Sequence, residues 1–224
     1  MEEAKFNNLC SHYKDTFDIH RATIKQRDTL FYGLLVILAV FTLQLSSTEM
    51  VVGVVNDYIN NATGIKLGKS ADFISTLLWL LLLGFTTRYY QVVLEIERQY
   101  GYLHALEEKL NGYYPETKVF TREGKSYLSK YPLFSNWVWL LYTVFFPSLI
   151  IFSVIMRVNS EINGMQSIEV NQIIDFFCYL VIATSSILYI YRLHESSIQN
   201  ITNCCIGRVK AVFFCAKKNE TGVR

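Results

Sequence analysis

The chain has 224 residues, of which 51% are hydrophobic and only 18% charged, and its net charge is +2. A soluble domain carries about a quarter charged residues, so the composition argues against one. A charge this near zero points to no particular partner, and no direct nucleic-acid binding is expected.

Residues 1–28 form a polar arm with an apolar stripe. Phe6, Leu9, Tyr13, Phe17, His20 and Ile24 recur at spacings of three and four, which places them on one helical face. The first apolar block begins only near Leu30, too late for a signal peptide. A first span is predicted over 29–56: its apolar block runs from Leu30 to Leu45, and Met50 to Val55 extend it. An outer loop over 57–70 comes next, with Asn61-Ala62-Thr63 as a glycosylation sequon that matters only in a secretory pathway.

The second span is predicted over 71–88, continuous with an inner helix and loop over 89–132. On that helix Val92, Ile96, Tyr100, Leu103, Leu106 and Leu110 repeat with the helical period. Asn111 and Gly112 are expected to stop it. Glu95, Glu97, Arg98, Glu107, Glu108 and Lys109 read as a solvated face, or else as an interface with a protein. Thr121, Arg122, Glu123, Gly124 and Lys125 make a small basic patch at a candidate helix start. It matches no nucleotide fingerprint and reads as a turn.

A third span is predicted over 133–157, kinked at Pro147, then an outer loop over 158–171, a fourth span over 172–192 and a tail over 193–224. The apolar blocks of the four spans, Leu30 to Leu45, Phe73 to Thr87, Leu133 to Met156 and Ile173 to Tyr191, contain one charge, Asp175. Ile198, Ile201, Cys205 and Val212 give the tail a weaker stripe, and the arm, the inner helix and the tail are expected to pack into a stalk. The fold class is therefore all-α and polytopic, with four transmembrane helices and a cytoplasmic helical extension. Lysine and arginine sum to 18 in the arm, central loop and tail and their flanks, but to three at the two outer loops (Lys66, Lys69 and Arg157, the last at the outer end of the third span), which places both termini in the cytoplasm.

The chemistry-bearing residues are sparse. Cys10, Cys178, Cys204, Cys205 and Cys215 are odd in number, which points to free thiols. His12, His20, His104 and His194 lack metal-type spacing, and His20 reads as a packed core residue. No nucleophile has a base in reach of it, so neither an enzyme nor a bound cofactor or metal is expected. Thr184, Ser185 and Ser186 stand out within the fourth span and are candidates to line a pore if several chains assemble. Ile96, Leu103, Leu106 and Leu110 are candidates to bind a partner along the inner helix.

The run from Arg98 to Leu110 (RQYGYLHALEEKL), followed by Thr121 to Pro132 (TREGKSYLSKYP), resembles a loose group of bacterial membrane proteins. Small multi-spanning chains of this kind are similar to the membrane effectors of anti-phage defence systems, namely retron-linked membrane proteins and the membrane subunit of the Kiwa system. The resemblance is one of architecture and carries over no site residue. It implies an inner-membrane homo-oligomer, held silent until a cytoplasmic protein or ribonucleoprotein partner engages it, which then permeabilises the membrane or arrests growth. The alternatives are a membrane anchor that recruits a cytoplasmic partner, or a small constitutive channel or transporter.

Overall fold

The computed structural model describes residues 2–64, 71–114, 116–120, 132–164 and 170–220, and all regular structure among them is helical. The helices are α1 (Glu2–Ser46), α2 (Thr48–Thr63), α3 (Ala71–Asn111), α4 (Pro132–Leu140), α5 (Phe146–Gly164) and α6 (Val170–Glu220). A five-residue π-helical segment, Leu141–Phe145, joins α4 to α5. Among the described residues, four helical stretches are long and apolar enough to cross a membrane: Glu3–Gln44, Ile74–Asn111, Asn136–Ser160 and Val170–Glu195. The chain divides into two compact units, Met1–Ser186 and Ile187–Arg224. The second is the later part of α6, where Arg192 pairs with Glu195 one turn on.

The first unit is organised by an antiparallel pairing of α1 with α3. Tyr13 meets Glu107, His20 meets Gln99, Phe31 meets Tyr89, and Phe41 meets Trp79. Rising numbers on one helix thus meet falling numbers on the other. At 1.5 Å per residue, the 41 residues of α3 extend about 60 Å, roughly twice the thickness of a bilayer core. The pair therefore has an apolar half and a polar half, here called the stalk. In the apolar half Leu34, Phe41, Trp79 and Leu82 are buried between the helices, whereas Leu77, Leu80, Leu81, Phe152, Phe176 and Phe177 are exposed. Apolar surface this extensive needs a lipid or protein cover. In the stalk α1 contributes its arm and α3 its continuation through Gly101 to Asn111. α5 joins through Phe146, whose ring stands 4.7 Å from that of Phe31 and 5.3 Å from that of Tyr89.

Three local features differ from the sequence reading. The first helix does not run on to residue 56 but breaks at Ser47 (φ −156°, ψ 84°). Ser46, Ser47 and Thr48 supply short polar side chains that favour helix ends over helix interiors. Beyond the break the chain forms a separate helix, α2, which occupies residues 57–63 of the expected outer loop. It ends where Gly64 adopts φ 72° and returns its N–H to the carbonyl of Asn60, a conformation that glycine reaches without strain. Gly112, by contrast, has no positive φ. α3 still ends at Asn111, where the sequence places its stop; the Gly112 and Tyr113 N–H groups return to the carbonyls of Glu108 and Leu110, and the Asn111 side chain holds the following segment, its Nδ2 donating to the Phe120 carbonyl (2.8 Å) and its Oδ1 accepting from the Phe120 N–H (2.9 Å). Just before Pro147 the helix changes type. The proline ring has no N–H to give to the Thr143 carbonyl and crowds it. The helix widens just before that point, and the Phe146 N–H bonds to Leu141 five residues back. The basic patch at Thr121–Lys125 and the side chains from residue 196 on, with the tail stripe of Ile198, Ile201, Cys205 and Val212 as well as Cys204 and Cys215, lie outside the described residues.

Candidate functional site

The stalk is the most chemically specified part of the chain. Ile96, Leu103, Leu106 and Leu110 are all buried, with Leu103 and Leu110 fully covered. They were expected to meet a partner, but the amino-terminal arm of the same chain covers them. The stripe of the arm and that of α3 satisfy one another, so a soluble partner has only the remaining faces of the stalk to grip. Polar bonds fix the register of the seam. Tyr13 donates to Glu107 Oε1 at 2.9 Å, and His12 Nε2 stands 2.7 Å from the Tyr102 hydroxyl. Gln99 bridges two arm residues: its Oε1 lies 3.0 Å from His20 Nδ1, and its Nε2 donates to Thr23 Oγ1 at 3.2 Å. His20 is buried with its ring 4.5 Å from that of Tyr100, an edge-on aromatic packing. Glu107, in the charged face by sequence, is in fact buried.

At the stalk tip, rings from both helices gather around the end of the pair. Phe6 stands edge-on to Tyr113 (5.1 Å) and Tyr114 (5.9 Å), and Tyr13 edge-on to Phe120 (5.8 Å). Glu3, Phe6, Tyr113 and Tyr114 line an open depression of about 260 Å³. The sequence signal for this cluster was the Tyr113-Tyr114 pair just beyond the helix stop, which periodicity does not register.

In the apolar half, the structure separates the three hydroxyl residues of the fourth span. Thr184 is exposed, Ser185 is half-buried and Ser186 is buried. Successive helical residues point about 100° apart, so the three do not line one path together. Ser186 Oγ donates to the Ile182 carbonyl (2.9 Å) and stands 2.8 Å from the Tyr90 hydroxyl. That contact ties α6 to α3 inside the bundle. Tyr90→Phe is expected to cost about 1 kcal/mol, the net value of one buried hydrogen bond. Thermal unfolding in detergent should show it, and Ser186→Ala should add little in the Tyr90→Phe background.

A buried polar pair that the sequence does not reveal lies at the end of the apolar half remote from the stalk. Arg157 was counted as a loop charge, yet it is only 7% exposed and donates from Nη2 to Ser75 Oγ at 2.9 Å. Gln44, Thr76, Asp175 and Cys178 are buried near the same ends of their own helices. The available signal was the spacing of Ile150, Val154 and Arg157, which puts the arginine on the buried row of α5. Ser75→Ala removes an acceptor from a buried guanidinium and is expected to cost about 1–3 kcal/mol, read as a lower unfolding temperature in detergent.

Among the described residues, no group of three His, Cys, Asp or Glu converges as metal ligands would. Comparison with known proteins yields no matching family model, no matching curated protein and no matching solved structure.

Proposed function

We propose that this chain is an inner-membrane effector of a bacterial antiviral defence system. It works as an oligomer, and a cytoplasmic protein or ribonucleoprotein partner triggers it through the stalk. The observation that carries the reading is the continuity of α1 and α3. Each helix runs unbroken from the stalk into the apolar half, and the two stay paired throughout. A partner that grips the stalk thereby moves the spans as well, because a paired helix transmits a displacement along its axis. The excess of lysine and arginine in the arm, central loop and tail supports a cytoplasmic stalk. Thr184 and Ser185, not sealed inside as Ser186 is, remain available to line a path between neighbouring copies.

The test is membrane potential, followed with a voltage-sensitive dye in bacteria carrying this chain with its native neighbouring genes. Phage challenge is expected to depolarise cells with the intact chain and not cells with the chain deleted. A steady potential through infection, with protection retained, counts against permeabilisation. It would favour the alternative of a membrane anchor, for which the aromatic depression at the stalk tip is the natural place of attachment.

A further inference from the structure

Three of the four i, i+4 rows of α2 show how it is covered. Val51, Val55 and Ile59 are buried or half-buried, on a helix that packs against α1 and α3. Gly53, Asp57 and Asn61 form a row without large apolar side chains. Between these rows lies a third. Met50 is 50% exposed, Val54 65% and Tyr58 75%. The apolar arc of α2 is therefore wider than its neighbours in the chain can cover, and half of it is bare.

From this we infer that α2 is an interfacial helix whose Met50–Val54–Tyr58 row inserts into the outer leaflet of the bilayer. Three arguments favour lipid over protein. The row begins within two turns of Leu43, an exposed apolar residue of the first candidate span, so it continues a surface that already faces acyl chains on the membrane reading. Its three side chains offer far less than the roughly 800 Å² per partner of a stable protein interface. Tyr58, at the end of the row away from the span, has the ring and hydroxyl that suit the headgroup level. The helix contains no lysine or arginine but does contain Glu49 and Asp57. Its insertion is therefore driven by apolar burial, unlike that of basic amphipathic helices, and does not depend on anionic lipid.

The inference rests on the membrane reading of the four spans, and the test keeps the two apart. In the full chain with its native cysteines replaced, single cysteines at Val54→Cys, Tyr58→Cys and Asn61→Cys carry an environment-sensitive fluorophore. Leu80→Cys, on the exposed face of the second span, is the reference. The protein is reconstituted in zwitterionic bilayers with and without brominated acyl chains. The expected result is blue-shifted emission and quenching at positions 54 and 80, partial quenching at 58 and little at 61. The same pattern is expected when about a third of the lipid is anionic. Quenching at 80 but none at 54 overturns the inference while leaving the spans intact. Quenching at neither overturns the membrane reading first. Self-quenching between fluorophores at 54 that disappears on dilution with unlabelled chain assigns the row to a second copy and also overturns it.

Discussion

Leu103→Asp together with Leu106→Asp is expected to part the arm from α3 and dissolve the stalk. Both leucines sit in the seam, fully or almost fully covered. Truncating a buried leucine alone costs about 2–5 kcal/mol. A carboxylate put in its place, among apolar neighbours, adds a desolvation cost of several kcal/mol. The adjoining polar bonds compound the loss, since Tyr13 and Glu107 meet within the same turn and are left to solvent once the seam opens. Limited proteolysis of membranes should show residues 2–28 becoming cleavable, while the apolar half keeps its protection. Leu103→Met, which preserves volume and polarity, should cost less than about 1.5 kcal/mol and leave the arm protected. Continued protection of the arm in the double aspartate chain would mean that something other than this seam holds it. On the proposed function the double variant also loses its response to phage while it still inserts in the membrane, which separates signalling from anchoring.

The seam explains why much of the fold was legible in the sequence and why the site was less so. The apolar blocks and the two stalk stripes come from hydropathy and from a 3.6-residue period, both local properties of the chain. Which stripe covers which is not local. The sequence offers Ile96, Leu103, Leu106 and Leu110 both to the stalk packing and to a partner, and only the structure shows that all four are buried under the packing. Arg157 was misjudged for a related reason. A charge at the end of an apolar block is ordinarily a flank residue, and only the packing of α5 against its neighbours turns it inward onto Ser75. The break at Ser47 was hard to see because Met50–Val55 is apolar enough to pass for more span. The left-handed Gly64 that closes α2 gives no sign in the periodicity of the helix before it. Ser186 fell between the two cases. Its hydroxyl stands out in the sequence, but its partner Tyr90 lies 96 positions away.

Gly33→Val is expected to loosen the pairing of α1 with α3 in the apolar half. Glycine inside a helix costs about 1 kcal/mol relative to alanine, so its place in α1 needs a packing reason. The reason is Phe85 of α3. A Cβ added at Gly33 would lie 2.5 Å from Phe85 Cε1 and 3.0 Å from Cδ1, inside any tolerable contact. Small residues let paired helices approach closely where no hydrophobic force drives them together, and here the aromatic ring takes the place of the missing side chain. Valine cannot swing clear, because a β-branched side chain in a helix is held to one χ1 rotamer. Either the ring leaves its rotamer or the helices separate, at a cost of about 1–3 kcal/mol. Trp79 is fully buried, edge-on to Phe41 at 5.2 Å and less than two turns from Phe85 along α3, so its fluorescence reports on this pairing. A lower unfolding temperature by Trp79 emission is expected for Gly33→Val, with partial recovery when Phe85→Leu is added. No recovery in the double variant would mean that Gly33 matters for the backbone of α1 and not for the approach of α3. On the proposed function, because α1 and α3 carry the stalk, a chain widened at this crossing should also insert normally yet respond weakly to its trigger. That loss would distinguish a lever made of two paired helices from a stalk that serves only as an anchor.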